Sequence, residues 1–169
     1  GYSSEYLEET YKDAVALTII GCGADQNPAP RGTLIHTKQH GRSLAEEVKR
    51  IVGGKMRPLG QPISCTYRAL RLDFAKHPPR SEWEGRAKAA GITGFHARQM
   101  LEILDRGEKL PADIPYPVQT WTFGDELGMV FLADEVVVDY SLRLKRELDG
   151  QRLWVAGYCN DQRCYIPSE

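Results

Sequence analysis

A polar loop that directly follows an apolar run constrains the fold of this chain more than any other feature. The apolar run covers residues 14–20, and the loop reads Gly-Cys-Gly-Ala-Asp-Gln-Asn-Pro from Gly21 to Pro28. Its glycines permit positive φ values or a close backbone approach, and Asp25 and Asn27 favour hydrogen bonds to the local backbone. Pro28 also keeps Asn27 out of the α region. We therefore predict a fixed polar loop at the end of a buried strand, which is either a catalytic or ligand site or a tight structural turn.

The loop does not have the sequence of two familiar phosphate-binding loops. A dinucleotide fingerprint requires a third glycine where this chain has Gln26, and a Walker loop requires a Gly-Lys-Ser/Thr sequence that does not follow. The loop therefore does not predict a nucleotide site by motif.

Hydrophobic periodicity along the chain predicts an α/β fold with a mixed β-sheet core flanked by helices. Gly124-Asp125-Glu126 between two apolar segments indicates a β-hairpin. We interpret residues 111–117 as a proline-punctuated linker, residues 157–169 as a polar loop, and residues 1–169 as a single domain. The predicted helices cover residues 3–12, 33–52, 81–90, 93–106 and 136–148, and the predicted strands cover residues 14–20, 62–75, 118–123, 127–132 and 153–156.

Charge and hydropathy exclude several classes of partner. With 22 basic and 23 acidic residues the net charge is -1, so the sequence gives no electrostatic case for binding nucleic acid or an anionic membrane. No apolar run approaches the length of a transmembrane segment. We therefore expect neither nucleic acid nor a membrane-spanning helix in this chain.

The cysteines form no CxxC pair, so a zinc ribbon is not indicated. Cys159 and Cys164 could join Cys22 at a metal if their segments converge, but isolated buried thiols are the alternative that we favour. A thiol-dependent enzyme that uses Cys22 or Cys159 is a weaker hypothesis. His36 and His40 lie four residues apart and could share a metal, although no HExxH glutamate lies between them, and a capping role is the simpler interpretation.

Three segments together resemble the neutral/alkaline non-lysosomal ceramidases and their bacterial relatives. The first is the polar loop. The second is Ala133-Asp134-Glu135, followed by Arg143-Leu144, which resembles the Pro-Gly-Glu segment of that family and the Arg-Leu of its next helix. The third runs from Gly157-Tyr158-Cys159-Asn160 to Tyr165-Ile166 and is similar to the Gly-Leu-x-Asn segment with Tyr-Ile/Val-Thr-Thr. Residues 54–112 match the family only loosely.

This resemblance implies a zinc-dependent hydrolase that cleaves the amide bond of an N-acylated lipid such as ceramide. In that family two histidines, a glutamate and a tyrosine hold Zn2+, and the last two positions fall on Glu135 and Tyr165. The two histidines lie upstream of the segment that corresponds to Gly1. Because Gly1 is not an initiator methionine and a helix starts at once, we expect the chain to be a fragment of a larger ceramidase-like catalytic domain.

Local chemistry leaves other interpretations of these two residues open. Glu135 follows a strongly apolar strand, where a carboxylate needs a metal, a partner or solvent. It could equally be an acid at a helix N-terminus that the helix dipole stabilises. Tyr165 could be a half-buried phenol in a surface loop. The assignment of both residues as metal ligands therefore depends on the resemblance.

The polar loop departs from the family pattern at one important position. The family sequence Gly-Asp-x-Ser-Pro carries a serine regarded as catalytic, and the matching residue here is Asn27. Asn27 is not a nucleophile, although its amide could donate to an oxyanion. We expect Asn27 and Asp25 to be catalytic residues and expect Gly21, Cys22, Gly23 and Arg31 to bind substrate, with Arg31 alternatively pairing with Asp25.

The resulting hypothesis is a zinc-dependent hydrolase of linear amide bonds in N-acylated lipids, with water or hydroxide on zinc as the nucleophile. The alternative is a non-catalytic ceramidase-like domain that binds a lipid, a glycan or a partner domain. Expected partners are a small-molecule or lipid substrate and the upstream part of the same polypeptide. If the resemblance holds, it implies an extracytoplasmic or secreted location.

Overall fold

The computed structural model describes residues 1–60 and 62–168 and contains helices together with a mixed sheet, which confirms the predicted α/β fold. Four strands form the larger sheet in the order β1-β2-β3-β5, and β4 and β6 form a separate two-stranded sheet. The helices are α1 (Tyr2–Thr10), α2 (Leu34–Val52), α3 (Arg80–Arg86), α4 (Gly91–Asp105) and α5 (Val138–Glu147), and the strands are β1 (Ile63–Asp73), β2 (Asp113–Phe123), β3 (Leu127–Leu132), β4 (Glu135–Val136), β5 (Leu153–Ala156) and β6 (Tyr165–Ile166).

The chain divides into two compact units. One comprises residues 1–68 and 117–169, and the other comprises residues 69–116. The interpretation of residues 1–169 as a single domain stays a prediction. No helix in residues 1–60 and 62–168 is both long and apolar enough to cross a lipid bilayer.

The predicted hairpin is confirmed as an antiparallel pair of β2 and β3, in which Val118 lies opposite Leu132 and Phe123 opposite Leu127. Strand β5 then pairs in parallel with β3, which makes the sheet mixed. The predicted linker over residues 111–117 is wrong, because β2 already begins at Asp113. Pro115 and Pro117 are compatible with this strand since pairing with β3 starts only at Val118, so their missing N–H groups cost no bond to β3.

The prediction of a buried strand over residues 14–20 is also wrong. This segment has no strand assignment, and Val15 and Leu17 are 81% and 88% exposed. It meets the sheet at its end, where the Gly157 N–H donates to the Ile20 carbonyl oxygen over 3.0 Å. Apolar residues on both faces predict a strand that neighbours cover on both sides, and the described residues do not cover this one.

The core of the larger unit lies where the polar loop, β3 and β4 meet. Cys22, Leu132 and Val136 are buried there against each other. Partly buried side chains pack around them from β2, β3, α5, β5 and β6: Val118, Val130, Tyr140, Leu144, Val155 and Ile166. The polar loop is therefore anchored to the sheet through its cysteine.

The smaller unit contains the helical pair α3 and α4. Trp83 of α3 is buried and meets the ring of His96 of α4 edge-on, with 5.6 Å between ring centroids. Arg80 forms ion pairs with Glu84 and with Asp105 at the end of α4. These contacts join the two helices within residues 69–116.

Candidate functional site

Three segments distant in sequence converge at the end of β3: the polar loop, residues 133–138 and residues 157–166. The Ala24 N–H donates to the Val136 carbonyl oxygen over 3.1 Å, which joins the loop to β4. The Glu135 N–H donates to the carbonyl oxygen of Cys164 over 3.1 Å, which joins β4 to the last segment. The same three segments carry the family resemblance, so the fold places its motifs side by side.

Glu135 and Tyr165 lie opposite each other in the two-stranded parallel sheet. β4 and β6 pair so that Glu135 aligns with Tyr165 and Val136 with Ile166. The prediction of a polar loop over residues 157–169 therefore misses a short strand in this range. The Tyr165 side chain is 47% exposed, and its hydroxyl makes no hydrogen bond to any residue in 1–60 or 62–168.

A second tyrosine, to which no sequence motif assigned a role, contacts the glutamate. The Tyr158 hydroxyl donates to Glu135 Oε1 over 3.3 Å. Burial raises the pKa of the Tyr158 phenol, and the negative charge of Glu135, the hydrogen bond to Glu135 and the more weakly acting charge of Asp25 add to that increase. The site therefore contains two carboxylates and two phenols near one another.

Asp134 fixes the backbone between these groups. It is 1% exposed, and its Oδ1 accepts the N–H groups of Arg163 and Cys164. Its own N–H donates to the Asp161 carbonyl oxygen over 2.9 Å, and its carbonyl oxygen accepts the Tyr158 N–H over 3.0 Å. A single buried aspartate thus links β4 to both ends of the segment that carries Tyr158 and Tyr165.

Backbone strain is concentrated at this site. Asp134, Tyr158 and Asn160 have φ values of 63°, 57° and 67°, and they are the non-glycine residues with positive φ among those described. Non-glycine residues seldom adopt this conformation, and such residues cluster at functional sites. No signal in the sequence predicted it.

Asp25 joins the polar loop to the start of α5. Its Oδ1 accepts the Val138 N–H over 2.9 Å, and this hydrogen bond lowers the pKa of Asp25. Helix α5 has no hydrogen bond from its own N-cap side chain, so Asp25 acts as the cap from a distant part of the chain. This contact gives Asp25 a role in the fold, and its predicted catalytic role stays a prediction.

Asn27 and Arg31 pair with each other on the exposed part of the loop. Arg31 Nη1 donates to Asn27 Oδ1 over 2.6 Å. Because an arginine side chain only donates hydrogen bonds, the Asn27 atom that faces it is the amide oxygen, and the NH2 group of Asn27 stays available as a donor. Within the described ranges, no hydrogen bond or ion pair joins either residue to Glu135 or Tyr165, and the alternative pair of Arg31 with Asp25 is not formed.

The structure places the remaining predicted substrate-binding residues, Gly21, Cys22 and Gly23, at the start of the polar loop, where it packs against the sheet. The backbone of Gly21 lies so close to Gly157 that a Cβ at Gly157 would be 3.1 Å from the Gly21 carbonyl oxygen. The Gly23 carbonyl oxygen accepts the Gln26 N–H over 3.0 Å. Cys22 is 5% exposed, and burial raises the pKa of its thiol. Burial also raises the pKa of Cys159, and burial together with the neighbouring Asp134 carboxylate raises that of Cys164. Cys22, Cys159 and Cys164 are all free thiols.

The two histidines of α2 contact the far end of the loop. His40 Nε2 lies 2.7 Å from the Pro30 carbonyl oxygen, and His36 Nδ1 lies 3.3 Å from that of Arg31. In residues 1–60 and 62–168, no three His, Cys, Asp or Glu side chains are grouped as a metal site. Glu135 and Tyr165 are therefore the two described side chains, among those predicted to bind metal, that the fold brings next to each other.

Comparison of the sequence with protein-family models and with curated proteins, and of the structure with solved structures, returns no match. The resemblance to the ceramidases therefore stays a prediction from sequence motifs, and the activity that it implies is a hypothesis.

Proposed function

We propose that this chain forms part of the catalytic domain of a zinc-dependent hydrolase that cleaves the linear amide bond of an N-acylated lipid. The pairing of Glu135 with Tyr165 is the main support. These are the two residues that the resemblance assigns to zinc, they are 30 positions apart in sequence, and they are aligned in adjacent strands.

The chemistry of the donors fits part of a zinc site. Zinc accepts carboxylate oxygen and takes about four ligands in structural and catalytic sites. Glu135 and the free hydroxyl of Tyr165 would supply two of them, and the remaining ligands would be the histidines that the resemblance places upstream. Bound zinc would lower the pKa of a water ligand and polarise the amide carbonyl.

The backbone at Asp134 gives further support. The family segment has glycine at this position, and Asp134 has a φ of 63°, a conformation that glycine adopts freely and aspartate tolerates. A glycine-like backbone directly before Glu135 is consistent with a shared local geometry.

The polar loop would act on the substrate through hydrogen bonds. Arg31 holds the oxygen of Asn27, so the Asn27 NH2 group is oriented as a donor for a carbonyl oxygen or a developing oxyanion. Asp25 would hold this loop against α5 through the Val138 N–H. In this proposal Asn27 stabilises charge and does not attack the substrate.

A non-catalytic domain that binds a lipid, a glycan or a partner domain is the second candidate. The exposed apolar side chains of residues 14–20, together with asparagine at the serine position, favour it. The two candidates differ in whether metal and amide hydrolysis are found together.

Zinc content of the full-length protein tests the proposal. About one zinc per chain is expected by elemental analysis, with loss of that zinc in Glu135→Ala and release of fatty acid from a panel of N-acyl amides. Glu46→Ala, which removes an exposed carboxylate from α2, is the matched control and should retain zinc. Wild-type protein without zinc, or zinc retained in Glu135→Ala, would contradict the proposal.

A further inference from the structure

Tyr158 adopts an unusual backbone conformation that places its hydroxyl on Glu135. Its φ is 57°, a conformation that is an outlier for a bulky residue. Two hydrogen bonds accompany it: the Tyr158 N–H to the Asp134 carbonyl oxygen over 3.0 Å, and the hydroxyl to Glu135 Oε1 over 3.3 Å. The surrounding segment therefore maintains a strained residue whose side chain ends at one carboxylate oxygen.

We propose that Tyr158 is a positioning residue that orients the Glu135 carboxylate for metal binding; this inference rests on the proposed function. A carboxylate on a flexible side chain can present either oxygen at many angles. A donor on Oε1 restricts the rotation of the group and would leave Oε2 available to a metal ion.

The two tyrosines of the site differ in a way that separates their roles. The Tyr158 hydroxyl is engaged with Glu135, whereas that of Tyr165 has no hydrogen-bond partner in the described part of the chain. Tyr165 is also the residue aligned with Glu135 across the two-stranded sheet. The geometry is thus suited to one tyrosine as a ligand and the other as the support for the glutamate.

Tyr158→Phe in the full-length protein tests this role because it keeps the ring and removes only the hydroxyl. Loss of a hydrogen bond that orients a ligand is expected to raise the zinc Kd by about tenfold to a hundredfold, measured by competition with a chelator. Tyr67→Phe is the matched control, because this tyrosine of β1 is 60% exposed and no hydrogen bond joins its hydroxyl to Glu135 within the described residues. Its zinc Kd should not change.

Two further readouts separate positioning from general stabilisation. The visible absorption spectrum of the Co2+-substituted protein should change in Tyr158→Phe, while the apoprotein Tm stays close to that of wild type. In a Glu135→Ala background, which removes the acceptor of this hydrogen bond, Tyr158→Phe should have no further effect on the residual zinc affinity. A loss of affinity that is matched by a fall in the apoprotein Tm would assign Tyr158 a structural role and overturn the inference.

The outcomes also distinguish this inference from the proposed function. Wild-type zinc that is lost in Glu135→Ala but is bound normally by Tyr158→Phe would refute the role of Tyr158 and leave the proposed function intact. Wild-type protein without zinc would refute both.

Discussion

Replacing Asp134 by alanine should destabilise the protein more than any other single side-chain truncation at the site. The carboxylate is 1% exposed, and its Oδ1 accepts the backbone N–H groups of Arg163 and Cys164. Alanine has no acceptor, so both N–H groups would lose their partner in a part-buried environment. Alanine is also less tolerant than aspartate of the φ of 63° at this position.

These contributions give an expected magnitude. A buried N–H group that loses its partner costs about 1–3 kcal/mol, and a left-handed conformation costs an ordinary residue about 1–2 kcal/mol. Because the two losses overlap when the segment relaxes, we expect Asp134→Ala to lower the free energy of unfolding by about 3–5 kcal/mol. Asp134→Asn keeps the Oδ1 acceptor and the tolerance of positive φ, so we expect a loss of about 1 kcal/mol.

Urea denaturation followed by tryptophan fluorescence measures this difference. The midpoint should fall strongly for Asp134→Ala and slightly for Asp134→Asn, with similar m-values. Under the proposed function, the zinc affinity of Asp134→Ala should fall as well, because residues 161–164 lead directly into Tyr165. If Asp134→Ala were as stable as wild type, or if Asp134→Asn were as unstable as Asp134→Ala, the role of Oδ1 as the backbone acceptor would be refuted.

Two further predictions concern how the polar loop is held. A Cβ at Gly157 would lie 3.1 Å from the Gly21 carbonyl oxygen, so Gly157→Ala should lower the free energy of unfolding by about 1–3 kcal/mol. The control is Gly85→Ala on α3, where an added Cβ meets nothing within 4 Å, and it should be neutral or slightly stabilising in the same urea titration. Equal effects at both sites would contradict the close approach of Gly157 to Gly21. The Val138 N–H holds the pKa of Asp25 below its usual value. Wild type should therefore exceed Asp25→Asn in stability by a constant amount at neutral pH and lose this excess as the pH falls below about 3.9. A stability difference that persists unchanged to low pH would contradict the role of this hydrogen bond.

Local signals in the sequence predicted much of the fold. Gly124-Asp125-Glu126 between two apolar segments gave the hairpin of β2 and β3, and α2 covers Leu34–Val52 against a predicted range of 33–52. These features depend on residues close together in the chain, where turn chemistry and periodicity act directly.

The apolar run over residues 14–20 shows where such signals fail. Hydrophobicity on both faces measures how much a segment would gain from being covered, but it does not specify which neighbour covers it. Val15 and Leu17 remain exposed although their sequence predicts burial. The error concerns the surroundings of the segment, which periodicity does not encode.

The candidate site was predictable only through the resemblance. The alignment of Glu135 with Tyr165 arises from a two-residue parallel pair with no local signature. Asp134 and Tyr158 gave no signal because positive φ at a non-glycine residue is determined by its surroundings.

Strands of two residues are too short to hold a site by ladder hydrogen bonds alone. We therefore expect the alignment of Glu135 with Tyr165 to depend on the buried carboxylate of Asp134 and on Gly157, where an added Cβ would lie 3.1 Å from the Gly21 carbonyl oxygen. A buried polar group with satisfied hydrogen bonds specifies one arrangement, whereas apolar packing tolerates several. The position of the site should consequently be more sensitive to these polar and glycine residues than to conservative changes in the hydrophobic core.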